Sequence, residues 1–375
     1  MPKPTVSEGV DPHHQQSPSL VSQPPSAGVS ESQELAAEVT WSDLLSRLMV
    51  GDRLTEVEAA HILEVVFDGA VAAPIVAAVL VLLRQREETV EELLSFARAM
   101  ARRMVEVSVE GKVLDTCGTG GDRQGTINVS TAAGLVAGAA GAKVLKHGGR
   151  AASSKTGSAD VLEQLGVNVN LDAQGVATMV ETTGFGFALA TRFHPAMAAV
   201  APIRRALGIP TAFNFLGPLV NPGHARYQLV GVFDRRLAPA MAQVLAALGS
   251  EHALIVNGDD GMDEVSLIAP TQVWEVRAGQ EVRSYSIDPG DYGFGTTSLS
   301  LLQGGDASEN AQILRGILNG DVTDARRDLI ALNAGVALYA GDLVTSIVDG
   351  IELALSMISD GRTGIYLDEL IARQP

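Results

Sequence analysis

The chain has 375 residues, enough for a large core divided between about two domains. Its apolar content is 46% with aromatics at only 4%, so Ala, Val, Leu and Ile must fill that core. A net charge of -17 disfavours nucleic acid and anionic membranes as partners, and the single cysteine, Cys117, excludes an intramolecular disulfide and any Cys-rich metal site; a soluble, cytoplasmic protein is expected.

Residues 1–38 are rich in Pro, Ser, Gln and Gly and are expected to form a disordered leader. The opening MPKPTVSEGVDPHHQQSPSL lacks the basic, apolar and small-residue succession of a signal peptide. Helical spacing begins with Trp41, Leu44, Leu45 and Leu48, where Thr40 and Asp43 stand as a cap and a first-turn acid. Thr55 with Glu58, and Thr89 with Glu92, form T-x-x-E capping boxes ahead of apolar helical runs. The apolar run at 71–83 is interrupted by Pro74 and is too short to span a membrane. Three or four helices are therefore expected before the first strand. They form a small helical domain over residues 39–108, completed by a later segment near 200–225.

From Lys112 onward, short apolar runs alternate with glycine turns and helical stretches: Val113 and Leu114, Val144 and Leu145, 186–190, 229–233 and 253–256. This is the texture of a sheet covered by helices, so residues 109–375 are expected to form a larger α/β domain. Leu329, Leu332, Val336 and Ala340 fit one helix, and Ile347, Ile351, Leu355 and Ile358 another. Gly304-Gly305 and Asp288-Pro289-Gly290 read as turns.

Three segments carry the chemistry. In VLDTCGTGGDRQGTINVSTAAGLVAGAAG (113–141), Asp115 is expected to end a strand, and Gly118, Gly120 and Gly121 to form a loop whose backbone approaches a ligand closely. Asn128, Ser130 and Thr131 then open an Ala- and Gly-rich helix. Its free N–H groups suit an anion, and its hydroxyls suit phosphate or Mg2+. The glycine spacing is neither a dinucleotide fingerprint nor a Walker A loop. The second segment, VLKHGGRAASSKTGSADVLEQLG, gathers Lys146, His147, Arg150 and Lys155 with Ser153, Ser154 and Ser158, a turn suited to pyrophosphate. The third, NGDDGMDE, offers Asp259, Asp260, Asp263 and Glu264; these are the oxygen ligands that Mg2+ takes, and an exposed acidic turn is the alternative. Arg204 and Arg205 sit in apolar company, where either an internal salt bridge or a substrate carboxylate satisfies a guanidinium. Cys117 is expected to be a small buried neighbour of the glycine loop rather than a nucleophile.

In order and wording, DTCGTGGD, NVST, KHGGRAASSKTGSAD, APIRRALGIPTAFNFLGPLVNP and GDDGMDE resemble the anthranilate phosphoribosyltransferase family of tryptophan biosynthesis, over most of residues 40–375. The resemblance implies an N-terminal helical domain plus a larger α/β domain of the nucleoside phosphorylase/phosphoribosyltransferase type, paired as a homodimer through the helical parts. It also implies Mg2+-dependent transfer of 5-phosphoribose from phosphoribosyl pyrophosphate to anthranilate, with release of pyrophosphate. By resemblance, Gly118, Gly121, Asp122, Thr126, Asn128, Val129, Ser130 and Thr131 hold the donor, and Lys146, Arg150, Ser154 and Ser158 complete its site. Lys146 and Arg150 are expected to stabilise the leaving group, and Ser130, Asp263 and Glu264 to serve the metal. Gly118, His147, Gly149 and Arg204 are expected at the anthranilate site. Two departures bear on the acceptor. KHGGR puts Gly149 where the family usually has Asn, and Ala198 stands where a lysine often follows the methionine. The missing amide removes a hydrogen bond worth about 0.5–1.5 kcal/mol. Another aromatic amine is therefore an alternative acceptor, and a noncatalytic regulatory paralogue an alternative role.

Overall fold

The computed structural model describes residues 40–151 and 155–375; the expected leader lies outside the described residues. Four helices come first: α1 (Trp41–Met49), α2 (Glu56–Phe67), α3 (Ala73–Arg86) and α4 (Val90–Ala101). The caps written into the sequence are made. Thr40 accepts from the Asp43 N–H, and Thr55–Glu58 and Thr89–Glu92 are complete capping boxes. Pro74 falls in the first turn of α3, where its missing N–H costs no helical hydrogen bond. Among the described residues no helix is long and apolar enough to cross a membrane.

The chain then alternates through β1 (Val113–Gly118), α5 (Val129–Ala139), β2 (Lys143–Gly148), α6 (Ser158–Leu165), α7 (Ala173–Thr183) and β3 (Phe185–Leu189). Next come α8 (Ala190–Phe193), a 3-10 turn (Pro195–Ala199), α9 (Ala201–Leu207) and α10 (Ala212–Leu219). Phe213 of α10 packs on Phe67 of α2 with ring centroids 6.1 Å apart, so this stretch shares the core of the first helices. The sheet resumes with β4 (Tyr227–Gly231), α11 (Ala238–Ala247), β5 (His252–Gly258), β6 (Thr271–Arg277) and β7 (Arg283–Ile287). Helices α12 (Leu299–Leu302), α13 (Ala307–Leu318), α14 (Ala325–Ala340), α15 (Ile347–Ser359) and α16 (Arg362–Arg373) end the chain. The strand order is β3-β2-β1-β4-β5-β6-β7, parallel from β3 to β5 and antiparallel at β6 and β7.

Side-chain alternation along the central strands assigns the two faces of the sheet. Leu229, Leu254 and Val256 join a core with Val136 of α5, Leu332 of α14 and Ile351 of α15. Val230, Ala253 and Ile255 join the other, with Leu63, Leu80 and Phe96 of the first helices and Leu245 of α11. Each fully buried Val, Leu or Ile contributes about 1.5–3 kcal/mol, so a register slip of one residue would exchange both sets and forfeit both cores.

One strand boundary differs from expectation. β1 runs on to Gly118, so Asp115 lies mid-strand and fully buried instead of at the strand's end. It is tolerated there because the His147 N–H and the Asn221 side-chain amide donate to its two oxygens at 3.2 and 2.8 Å.

Candidate active site

The sheet order changes direction between β1 and β4: β2 and β3 extend one way and β5 the other. Such a switch point opens a crevice at the carboxyl ends of the strands. Here the loop after β1, the start of α5, the end of β2 and the segment after β5 converge. The Gly120 N–H donates to Asp263 Oδ2 at 2.7 Å, and the Ser130 N–H, in the first turn of α5, donates to Glu264 Oε1 at 3.1 Å. Glycines permit the approach. A Cβ on Gly118 would lie 2.7 Å from Asp263 Oδ2, and one on Gly231 would overlap the Asp263 carbonyl oxygen. Lys146 on β2 is 1% exposed; its ammonium donates to the Thr116 carbonyl and, at 3.2 Å, to the Ser130 hydroxyl.

The charges here are not balanced. Burial, and then the charge of Asp122, push the Asp263 carboxyl up to about 7. Burial and then Asp263 raise Glu264 well above the ordinary carboxylate range. Lys146 is lowered by burial, although Asp115 and Glu264 oppose the loss of its proton. Glu264 thus feels both Asp122 and Asp263 as well as the Lys146 ammonium, a centre short of positive charge. Its donors are oxygens, the set Mg2+ prefers, and Mg2+ usually takes only one or two protein carboxylates alongside phosphate oxygens and water. That suits a chain in which no group of three His, Cys, Asp or Glu among the described residues forms a ready metal cage.

The other donor-site candidates take distinct places. Gly121 has a left-handed φ of 90° in the loop before α5, and Thr126 bridges to Gln303. Asn128 is engaged structurally: its amide donates to the Thr156 carbonyl at 3.3 Å and its Oδ1 accepts from Asn310 at 2.9 Å, which ties the loops after β1 and β2 to α13. Val129 and Thr131 are buried, and the Thr131 hydroxyl has no hydrogen-bond partner among the described residues. Ser158 is the first residue of α6. Ser154 lies outside the described residues. Arg150 is not gathered with Lys146. Its guanidinium binds Glu163 at 2.5 and 2.7 Å and Asp160 at 3.3 Å, because these acids of α6 face it directly. Cys117 is buried and its thiol is pushed well up by desolvation, a packing residue as expected.

On the acceptor side, His147 packs against His194 with the rings tilted 55° and their centroids 4.8 Å apart. His147 Nδ1 lies 3.1 Å from the Gly217 carbonyl and His194 Nε2 3.1 Å from the Val220 carbonyl. A carbonyl only accepts, so those nitrogens carry the protons. Burial lowers His147 to about 3 and His194 to about 4, so both rings are neutral, and their remaining nitrogens are buried without a partner among the described residues. Gly149 borders open space: an added Cβ would meet only Ala190 Cβ, at 3.9 Å. For Arg204 the internal salt bridge is absent among the described residues; its guanidinium bonds Asn214 Oδ1 at 3.3 Å and lies 5.8 Å above the Phe213 ring. Burial without a carboxylate partner lowers its pKa. Asn221 lies within the APIRRALGIPTAFNFLGPLVNP motif but was given no role there, yet its amide bonds both Asp115 and the Leu145 carbonyl at 2.8 Å and so ties β1 to β2, the strand that carries Lys146. The available signal was a lone amide in the apolar stretch L-V-N-P.

A model of the helical bundle domain of the Glycosyl transferase family matches residues 42–104, and one of that family's a/b domain matches residues 110–364. Anthranilate phosphoribosyltransferase of Roseiflexus castenholzii is 46% identical over 329 residues, 88% of this chain and 97% of the relative. The crystal structure of anthranilate phosphoribosyltransferase from Thermus thermophilus matches with a TM-score of 0.82 at 39% identity, covering 88% of this chain and 98% of that one. The enzyme from Saccharomyces cerevisiae in complex with PRPP and Mg matches with a TM-score of 0.82 at 30% identity, covering 90% and 98%. Its two domains, its extent and its sequence agree, and the chain belongs to the anthranilate phosphoribosyltransferase family.

Proposed function

We propose that this chain transfers 5-phosphoribose from phosphoribosyl pyrophosphate to the amine of anthranilate and releases pyrophosphate, with Mg2+ as cofactor. The observation that carries this reading is the convergence of Lys146, Ser130, Asp122, Asp263 and Glu264 at the β1/β4 switch point, where carboxylates outnumber their counter-charge. Asp263 and Glu264, with the Ser130 hydroxyl beside them, are the residues to hold Mg2+, which when bound supplies positive charge to the pyrophosphate group. As the bond from the sugar to pyrophosphate breaks, negative charge grows on the leaving oxygen. Lys146 is the residue to stabilise it.

Gly118, Gly121, Asp122, Thr126, Asn128, Val129, Thr131 and Ser158 shape the donor pocket. Arg150 joins them by exchanging Glu163 for a phosphate. Arg204, free of a carboxylate partner among the described residues, receives the anthranilate carboxylate. His147, neutral and protonated on Nδ1, offers the lone pair of Nε2 to an amine N–H. The amine is already nucleophilic, so alignment matters more than a strong base. The open space at Gly149 favours a second reading of the acceptor, in which other substituted aromatic amines are also accepted. The enzyme works in the cytoplasm as a homodimer; Met49, Val50, Val57 and Val81 leave apolar surface on the first helices for a second copy.

The test follows loss of anthranilate fluorescence and release of pyrophosphate together, in Mg2+. Anthranilate-dependent turnover that disappears in Asp263→Ala/Glu264→Ala supports the reading. Folded protein that binds no phosphoribosyl pyrophosphate sinks it, and donor binding without turnover redirects the search to other amines.

A further inference from the structure

The centre short of positive charge has an unpartnered cation next to it. Among the described residues, the non-glycine residues with left-handed backbone are Glu87, Arg123, His224 and Asp342, at φ of 65°, 59°, 49° and 52°. Side chains disfavour this region, so each instance needs a reason. For the others, the side chain supplies one: Glu87 pairs with Arg236 at 2.6 Å, His224 with Glu106 at 3.3 Å, and Asp342 with the buried His252 at 2.9 Å. Arg123 is exposed and makes no hydrogen bond or ion pair among the described residues.

Its flanks, by contrast, are fastened. Asp122 Oδ1 accepts from the Gln124 N–H at 3.2 Å, Gln124 Nε2 donates to the Asp260 carbonyl at 3.0 Å, and the Gln124 carbonyl accepts from Gln303 at 3.3 Å. The loop is therefore pinned to the acidic segment after β5, beside a guanidinium left without a partner. The rest of the chain shows that this is selective. Apart from Arg53, which bonds backbone carbonyls, the described Lys and Arg with no carboxylate partner are Arg123, Lys146, Lys155, Arg192, Arg204 and Arg205. In the chain, Lys146 lies on β2 and the others follow β1, β2 or β3. In a chain of net charge -17, these are, Arg53 aside, the cations left without an ion pair among the described residues.

We infer that Arg123 is a further donor-site residue, a positioning guanidinium held at the rim of the acidic centre to grip a phosphate oxygen of the incoming sugar pyrophosphate. The inference rests on the phosphoribosyl pyrophosphate reading of the site. Lys146 is buried and already bonded, whereas Arg123 is exposed with its hydrogens free, so Arg123 engages the donor first. It also offsets the repulsion that Asp122, Asp263 and Glu264 exert on that polyanion, and a guanidinium fork matches phosphate bidentately.

The full chain with Mg2+ is compared with Arg123→Gly and Arg123→Ala by titration calorimetry against phosphoribosyl pyrophosphate and against inorganic pyrophosphate, alongside steady-state kinetics. Glycine takes the left-handed backbone freely and alanine does not, so the two variants separate charge from strain. Both are expected to raise the donor Kd and KM about tenfold, the scale of one charge-assisted phosphate contact. Both also flatten the salt dependence of donor binding and leave kcat and the anthranilate KM within about twofold. Arg123→Gly melts at or above the wild-type temperature. Wild-type donor affinity in Arg123→Ala overturns the inference; so does a loss confined to Arg123→Ala with wild-type affinity in Arg123→Gly, which backbone strain would explain. A wild-type chain that binds neither phosphoribosyl pyrophosphate nor pyrophosphate removes the proposed function and this inference with it, whereas wild-type binding with unaltered variants removes the inference alone.

Discussion

β5 has a buried charge cluster at each end, and the two are finished to different degrees. At its start, His252 is fully buried with Nδ1 2.9 Å from Asp342 and Nε2 3.1 Å from Glu275. Glu275 on β6 also accepts from Tyr339 at 2.9 Å, Arg277 at 3.0 Å and Arg283 at 2.6 Å. Burial works to raise this carboxyl, but its hydrogen bonds from His252, Arg283, Tyr339 and Arg277 hold it well below the usual range. Beyond the other end of β5, burial and like charge raise Asp263 and Glu264 instead. The first cluster supplies its own partners; the second is completed only by a ligand. Complete buried charge serves the architecture, and incomplete buried charge marks where chemistry happens.

Breaking the complete cluster has the largest expected effect. Glu275→Ala strips His252, Tyr339 and two arginines of a shared acceptor and costs about 3–5 kcal/mol of stability, read from denaturant unfolding. Turnover per folded molecule stays at the wild-type level. Asp263→Asn with Glu264→Gln does the reverse. Removing like charge leaves the ligand-free chain as stable or more so, while turnover falls about 10²–10³-fold, equivalent to about 2.7–4 kcal/mol of transition-state stabilisation. Equal destabilisation by both sets of changes would erase the distinction between the clusters.

The incomplete cluster was legible in the sequence because its parts are short contiguous motifs. DTCGTGGD, NVST and GMDE set glycines, hydroxyls and carboxylates at fixed offsets, just as Thr55 and Thr89 announce their helices by local capping. The complete cluster was not legible. His252, the β6–β7 pair Glu275 and Arg283, and the pair Tyr339 and Asp342 come from three separate parts of the chain and meet only through strand pairing and the packing of α14. β6 and β7 escaped for a related reason. The buried row of β6 includes Thr271 and Glu275 with Val273, which conceals its apolar period, and β7 is a largely polar edge strand. Arg150 shows the opposite limit: its motif suggests a phosphate ligand, but only the fold reveals Glu163 opposite it.

The His147–His194 pair lies between these extremes, with one ring nitrogen of each satisfied and one not. Their folded pKa values of about 3 and about 4 lie below the ordinary 6.5. Between pH 6.5 and 4 the unfolded chain therefore takes up protons that the folded chain refuses. The stability that the neutral pair contributes is complete above pH 6.5 and is lost as the pH falls toward 4. Denaturant midpoints at about pH 7 and about pH 5 should differ less in His194→Phe than in wild type. An unchanged difference would show that the buried rings do not drive the acid sensitivity.

Gly149 offers the finest resolution of the comparison, because it tests whether the acceptor side is also incomplete. Its φ lies outside the left-handed region and its side-chain space is open, so Gly149→Asn fits without strain and changes stability by no more than about 0.5 kcal/mol. An amide pointing at bound anthranilate adds one hydrogen bond, about 0.5–1.5 kcal/mol, and lowers the anthranilate KM about 2–10-fold at constant kcat. The range of amines accepted narrows with it, since a directed donor rejects acceptors that cannot pair with it. The carbonyl of Gly149 is held by the Ala159 N–H at 3.1 Å, beside the loop assigned to the donor. A change in donor KM with anthranilate KM unmoved would therefore transfer Gly149 to the phosphate side, leaving Arg204 and His147 as the acceptor's polar contacts.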